Sequence, residues 1–380
     1  MQNLKDTLAS QRQQGLYRQR YCVDSREGNT IIVDGKSYTN FSSNDYLGLA
    51  NDPRLIAAFK EGADHYGVGS SASQLITGYS KAHQECEERL ADFLGYPRAI
   101  LFATGYMANV GTLSALASRS SQLLLDRRCH ASLIDAAILS RANTWRYHTN
   151  DIDTLAEKMT DDSMLITDSV FSMDGDITPL QQLSSLSKEH SSYLYVDDAH
   201  GFGVLRKTGR GCLEHCELDN NDVDIYVGTL GKACGTAGAF VCGNEELIET
   251  LIQKARSLHY STASPPAIAH ATLTSLDIIE NETWRRDHIT NLIKRFRQGV
   301  KQLGLPLTQS ETPIQAVILG DNQATLTASE SLKSQGYYVT AIRPPTVAKG
   351  TARLRITLCA NHSEDQVDQL ISALGEALSS

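Results

Sequence analysis

Short apolar runs and amphipathic stretches alternate along most of this chain. From about residue 52, segments with one apolar face at helical spacing fall at 53–65, 81–94, 105–117, 130–139, 151–159 and 180–189. Between several of them stand brief apolar runs at 99–102, 123–125, 164–167, 193–196 and 225–227. An apolar run without alternation, bounded by helices, is what a strand covered on both faces requires. The pattern therefore predicts βαβ units and a mainly parallel sheet. Ahead of them, residues 1–20 read as a polar helix rich in Gln and Arg. Residues 31–33 and 36–41 read as a hairpin closed by the two-residue turn Asp34-Gly35.

After about residue 285 the pattern changes. A long charged helix (284–303) precedes a strand at 314–318, a helix near 323–335, strands at 337–340 and 354–358, and a final helix from about 364. This predicts a smaller α+β unit. The expected division is an N-terminal helix and hairpin segment (1–45), a large α/β domain (46–284) and a small C-terminal domain (285–380).

Composition narrows the classes. With 380 residues, 41% hydrophobic and 21% charged, the chain has the make-up of a soluble globular protein with a large core. A net charge of −9 argues against bulk affinity for nucleic acid or anionic membranes, although Arg12, Arg18 and Arg20 form a local basic cluster. No apolar run approaches a membrane span, and the first residues do not read as a signal peptide, so a cytoplasmic protein is expected. Eight cysteines without a framework fit reduced thiols. Cys212-Leu213-Glu214-His215-Cys216 has the look of a metal clip, but a second knuckle is missing, so no metal is expected.

Candidate chemistry gathers where strands should end, the place where open α/β sheets bind ligands. Lys232 lies in the small-residue turn Thr229-Leu230-Gly231-Lys232-Ala233-Cys234-Gly235. Asp197 closes the strand at 193–196, and His200 follows three residues later. A lysine that can form a Schiff base, with an Asp that can stabilise a protonated pyridine nitrogen, is what a pyridoxal phosphate (PLP) enzyme needs. Two readings stay open at several positions. Thr104-Gly105-Tyr106-Met107 is either a helix N-terminus offering N–H groups to a phosphate or an ordinary Thr cap. His130, in Asp126-Arg127-Arg128-Cys129-His130-Ala131-Ser132, either stacks on a pyridine ring or caps a helix. Ser172, in the stretch from Asp168 to Asp176, either touches the cofactor or belongs to a plain turn. Gly67-Val68-Gly69-Ser70-Ser71-Ala72 satisfies a dinucleotide-binding spacing. A charged helix precedes it instead of a strand, so a glycine/serine loop shaping a site or subunit contact is expected.

Taken together these segments resemble the α-oxoamine synthase family of fold-type-I PLP enzymes. The resemblance runs over nearly the whole chain. It is carried by Phe41 to Leu49, the loop 67–80, Thr104 to Asn109, Asp126 to Ser132, Val170 to Asp176, Val196 to Gly201, Thr229 to Lys232, Tyr260-Ser261-Thr262, Ala341 to Val347 and Gly350 to Arg355. It implies an α/β fold, a seven-stranded mainly parallel sheet flanked by helices, with a small C-terminal α+β domain.

It also implies roles. Lys232 is the Schiff-base lysine, His130 stacks on the ring, Asp197 binds the ring nitrogen, and His200 and Ser172 surround the phenolic oxygen. Gly105 and Tyr106 give backbone N–H groups to the phosphate and Thr229 a hydroxyl. Thr262 reaches the phosphate from a second copy, which implies a homodimer with shared active sites. Asn44 and Arg355 hold the amino-acid carboxylate. Arg18 and Arg343 are candidates for the acyl-chain carboxyl end or its carrier. Residues 342–347 favour the branch of biotin synthesis that condenses L-alanine with a pimeloyl thioester, on coenzyme A (CoA) or acyl carrier protein. A glycine-using sibling, like 2-amino-3-ketobutyrate CoA ligase, is the alternative. Four positions depart from the family pattern. Ser71-Ala72 replaces Gly-Gly, Asp168 replaces a Glu, Cys234 replaces an aromatic and Ala348 replaces a proline.

Overall fold

A computed structural model describes residues 3–379. Met1 and Gln2, the first positions of the expected N-terminal helix, lie outside the described residues. In chain order the strands are β1 (Val23–Glu27), β2 (Thr30–Val33), β3 (Lys36–Asn40), β4 (Arg98–Phe102), β5 (Gln122–Asp126), β6 (Asn143–Tyr147), β7 (Ser163–Asp168), β8 (Tyr193–Asp197), β9 (Ile225–Thr229), β10 (Ala239–Gly243), β11 (Ile314–Gly320), β12 (Tyr337–Tyr338), β13 (Thr340–Ile342) and β14 (Ala352–Thr357). The chain divides into two compact units. One is Leu49–Ser172 with Ile177–Arg286; the other is Met1–Gly48 with Met173–Asp176 and Asp287–Ser380.

The first unit is built on a seven-stranded sheet in the order β4-β10-β9-β8-β7-β5-β6. The pairs β5–β6, β5–β7, β7–β8 and β8–β9 are parallel, and β10 runs antiparallel to both its neighbours. Leu123, Leu125, Ile166, Tyr195 and Val227 point from these strands into one core with Leu113 and Leu133 of the helices Gly105–Leu116 and Ala131–Ser140. Burying each such side chain is worth about 1.5–3 kcal/mol.

Two strands of this sheet escaped the apolar pattern. β6 is a polar margin strand with Asn143 and Arg146 exposed. β10 is wholly buried but set among glycines. It needs one of them opposite: a Cβ on Gly228 would come within 2.3 Å of the Phe240 ring. Two of the longer helices also escaped, Glu245–Lys254 and Pro266–Asn281. The second buries Ala267, Ala269, Ala271, Leu276 and Ile279 and so carries small apolar residues round much of its circumference in place of a stripe.

In the second unit the expected 1–20 helix is confined to Leu4–Gln13. The hairpin is present as β2 and β3. Asp34 (φ 50°) and Gly35 (φ 70°) supply the two left-handed residues that such a turn demands. The expected strand at 337–340 breaks at the buried Val339, so that β12 joins β1, β2 and β3 while β13 joins β14 and β11. Among the described residues no helix is long and apolar enough to cross a membrane.

Candidate active site

Strands β5, β7, β8 and β9 end side by side, and the residues beyond their carboxyl ends surround a cavity of about 200 Å³ in the first unit. β8 delivers Asp197 and His200. β9 delivers Thr229 and Lys232. β7 delivers Asp168 and, four residues on, Ser172. The connection after β5 brings His130 and Ser132, and the first turns of the helix Gly105–Leu116 bring Gly105, Tyr106 and Asn109.

Lys232 sits in a turn closed by the Gly235 N–H to the Lys232 C=O at 2.9 Å. Its Nζ lies 2.9 Å from His200 Nε2, and His200 is itself buried. The pair joins a primary amine to an imidazole in one hydrogen bond.

Asp197 is buried, and both of its oxygens are fed by N–H donors. Oδ1 accepts from the Ala199 N–H at 3.0 Å and Oδ2 from Asn109 Nδ2 at 2.6 Å. That arrangement suits a carboxylate. Asn109 uses its second amide proton on Ser132 Oγ (2.8 Å), and its Oδ1 accepts from the Tyr195 hydroxyl (2.8 Å). Ser132 Oγ lies 2.8 Å from His130 Nδ1, which also accepts the Ser132 N–H at 3.3 Å. An accepting Nδ1 places the proton of a neutral ring on Nε2. Burial pushes the imidazole below its ordinary pKa, with Lys232 acting in the same sense and Asp197 against it. His130 caps the helix Ala131–Ser140, and its ring also stands in the cavity wall.

The helix Gly105–Leu116 is capped by Thr104, whose Oγ1 accepts the Met107 N–H at 3.1 Å. Its first i→i−4 bond runs from Ala108 N–H to Thr104 C=O, so the Gly105 and Tyr106 N–H groups have no helical partner. The space beside Gly105 is open: a Cβ there would meet Thr229 Oγ1 at 4.0 Å, an ordinary contact. Thr229 itself donates to the Gly238 C=O at 3.1 Å.

The remaining candidates lie elsewhere. Thr262 is exposed and lines a separate small pocket with Ser257, Ser261 and Gln74, outside the Lys232 cavity of its own chain. In the second unit, the Arg355 guanidinium donates to Asn44 Oδ1 at 3.2 Å and to Thr357 Oγ1 at 3.0 Å, beside the buried Tyr46. Burial pushes that tyrosine's pKa up to about 12 against the pull of Arg355. Arg18 and Arg343 line another cavity of about 600 Å³ in the same unit. The loop 67–72 follows the helix Pro53–Tyr66, with no strand before it, and Ser71 stands at φ 61°, a conformation that favours glycine. Cys212 is buried, its N–H spent on Asp198 Oδ2, and no group of three His, Cys, Asp or Glu among the described residues is arranged to hold a metal.

Two polar cavity residues, Asn109 and Ser132, were given no role from the sequence, and Asp168 entered only as a departure from the family pattern. A signal for Asn109 was present, since it lies one helical turn beyond Gly105 on the same face.

Comparison with known proteins places this geometry. Residues 36–374 match the model for "Aminotransferase class I and II". An 8-amino-7-oxononanoate synthase of Pseudomonas putida (strain KT2440) is 50% identical over 377 residues, covering 98% of this chain and 97% of the relative. A solved 8-amino-7-oxononanoate synthase from Francisella tularensis is 34% identical with a TM-score of 0.80, covering 90% of this chain and 98% of that one. A serine palmitoyltransferase from S. paucimobilis, solved with a bound PLP–myriocin aldimine, is 29% identical with a TM-score of 0.93, covering 99% and 96%. With matches of this length and identity, the chain belongs to the class I and II aminotransferase family, in the fold-type-I group of α-oxoamine synthases that includes 8-amino-7-oxononanoate synthase.

Proposed function

We propose that this chain condenses L-alanine with a pimeloyl thioester, giving 8-amino-7-oxononanoate, CO2 and the free thiol carrier in biotin synthesis. The observation that carries the reading is the Lys232–His200 pair at 2.9 Å, in one cavity with an Asp197 whose two oxygens are both held.

Pyridoxal phosphate is the cofactor of this family, and the residues present fit it. They offer a primary amine, a carboxylate for a ring nitrogen, a flat imidazole, a helix N-terminus whose first two N–H groups have no helical partner, and a buried oxygen, Asp168 Oδ1, without a hydrogen-bond partner among the described residues. When bound, it accepts the electron pair left as the amino acid's Cα–H bond breaks.

The chain's own groups do the rest. The Gly105 and Tyr106 N–H groups would hold the phosphate, with the Thr229 hydroxyl turning to it from the Gly238 C=O and Thr262 of a second copy completing it, so the working unit would be a homodimer with shared sites. Asp197, fixed by Asn109, would hold the ring nitrogen in its protonated form. His130 would cover the ring face, and Ser172 and His200 would hydrogen-bond the phenolic oxygen. The Lys232 amine would take the Cα proton and return one. Asn44 and Arg355 orient the amino-acid carboxylate, for which a planar guanidinium is suited. The new C–C bond joins alanine Cα to the thioester carbonyl as the C–S bond breaks and the thiol leaves; loss of the carboxyl as CO2 follows. Eight cysteines, none in a disulfide, fit a reducing, cytoplasmic setting.

The test supplies purified protein with carboxyl-labelled L-alanine and pimeloyl-CoA or pimeloyl-acyl carrier protein, and measures labelled CO2 beside product mass. Equal amounts of CO2 and 8-amino-7-oxononanoate are expected. CO2 with glycine and another acyl thioester, but not with alanine, would move the assignment to a sibling of the family. No CO2 from any pairing would overturn the reading.

A further inference from the structure

Asp168 ends β7 in direct register with Asp197 at the end of β8. Two carboxyl groups on paired neighbouring strands therefore face the same cavity, and their surroundings differ. Asp197 has N–H donors on both oxygens. Asp168 has one: its Oδ2 accepts the His130 N–H at 3.0 Å, while its Oδ1 is buried and without a hydrogen-bond partner among the described residues. The side chain is 5% exposed and lines the cavity wall with Lys232, Asn109 and Ser172.

Two adjacent buried carboxyls do not both stay charged at low cost; the less solvated one takes the proton. The donor count selects Asp168. Burial, then repulsion from Asp197, pushes its carboxyl well above the ordinary range, with a smaller push from Asp126. The His130 N–H and the Lys232 ammonium act the other way without reversing the direction.

We propose that Asp168 works as a neutral hydrogen-bond donor: Oδ2 stays on the His130 N–H, and Oδ1–H serves an oxygen acceptor on the cofactor or substrate in the cavity. This rests on the PLP reading of the same site. A Glu in its place would carry its carboxyl one methylene further, so the shorter Asp fixes a donor close against the wall instead of reaching across the cavity. The neutral form also leaves Asp197 as the sole negative charge facing the ring nitrogen.

The test uses apo-protein, titrated with PLP by absorbance and fluorescence, then with L-alanine by the spectral change of the loaded protein. Thermal melts run alongside to confirm folding. Asp168→Asn preserves both parts, with its amide oxygen on the His130 N–H and its NH2 at the Oδ1 position. It is expected to bind PLP and L-alanine within about threefold of the parent, because a neutral donor is kept. Asp168→Ala, which lacks the donor, is expected to bind at least about tenfold more weakly. A loss at the PLP step would place the acceptor on the cofactor, and a loss only at the alanine step would place it on the substrate. As pH rises the parent should weaken once the carboxyl loses its proton, whereas Asp168→Asn should follow only the pH dependence of the other groups. A tenfold loss in Asp168→Asn, or parent-like binding by Asp168→Ala, would overturn the proposal. Failure of the parent itself to bind PLP would be a different result and would sink the proposed function.

Discussion

Asn109 Nδ2 lies 2.6 Å from Asp197 Oδ2 and 2.8 Å from Ser132 Oγ, so one buried carboxamide ties the Asp197 carboxylate to the chain that ends at His130 Nδ1. Replacing it by Ala removes two donors and leaves Asp197, Ser132 and the Tyr195 hydroxyl short of partners. Losing a hydrogen bond to a buried charged group costs about 1–3 kcal/mol. Asn109→Ala should therefore bind PLP roughly ten- to a hundredfold more weakly. Asn109→Asp should do worse, since it sets a second carboxylate against Asp197. Titration of the apo-proteins with PLP checks both, and unchanged affinity in Asn109→Ala would refute the linkage.

Gly235 is the residue that allows the Lys232 turn. Its φ is +67°, and a Cβ there would stand 2.5 Å from the Ala50 backbone N and 2.6 Å from the Leu49 carbonyl carbon. Backbone atoms cannot yield as a side chain can. Gly235→Ala adds a left-handed penalty of about 1–2 kcal/mol to that collision. Gly350, at φ +79° with nothing within 4 Å of its would-be Cβ, isolates the first cost. Thermal melts should show Gly235→Ala destabilised well beyond Gly350→Ala, with PLP binding impaired only in the former.

Much of this site could be read from the chain because its chemistry sits at strand ends, and strand ends are where short apolar runs stop. Lys232, Asp197 and His200 follow such runs directly. β6 and β10 could not be read the same way: β6 is polar at a sheet margin, and β10 is short and set among glycines. Asn109 and Ser132 were missed because their task is to hold other side chains, which only three-dimensional proximity reveals. Asp168 read as the start of a turn; its significance comes from register with Asp197, a cross-strand relation with no counterpart in local spacing. His130 was ambiguous for a sound reason, since one nitrogen caps a helix while the ring borders the cavity.

His362 makes stability depend on acid in a defined window. It is 1% exposed and stacks on Phe41 with ring centroids 4.1 Å apart. Nδ1 accepts the Cys359 N–H at 3.0 Å, and Nε2 lies 3.1 Å from the Asn40 C=O. Both nitrogens are spent by the neutral ring, and burial pushes its pKa down to about 4, with His288 repelling and the Asn40 carbonyl opposing. The folded value lies below the unfolded one, so the unfolded chain binds the extra proton. Stability is therefore lost as pH falls from about 6.5 toward about 4, by roughly 3 kcal/mol across the window. Melting temperature against pH should fall less steeply over that window in His362→Gln than in the parent. Equal slopes would mean that His362 is not the group responsible.

Arg343 offers a test of the proposed acyl substrate. Its Nη1 donates to the Gly15 C=O, but its buried Nε has no partner among the described residues. Burial, then repulsion from Arg18, lowers the guanidinium's pKa. Arg18 in turn donates to Thr346 Oγ1 at 2.7 Å. Two cations facing one cavity, beside the apolar Leu16, Leu326 and Ile342, suit an aliphatic chain that ends in a carboxylate. A carboxylate there would supply the missing acceptor and relieve the repulsion. Arg343→Leu should therefore raise KM for a pimeloyl thioester about ten- to a hundredfold while changing kcat little. A heptanoyl thioester, the same chain without the terminal charge, should lose nothing from the substitution. Arg343→Lys should recover only part, because an ammonium lacks the planar fork. Equal losses for the charged and uncharged chains would mean that Arg343 supports the cavity and does not read the carboxylate.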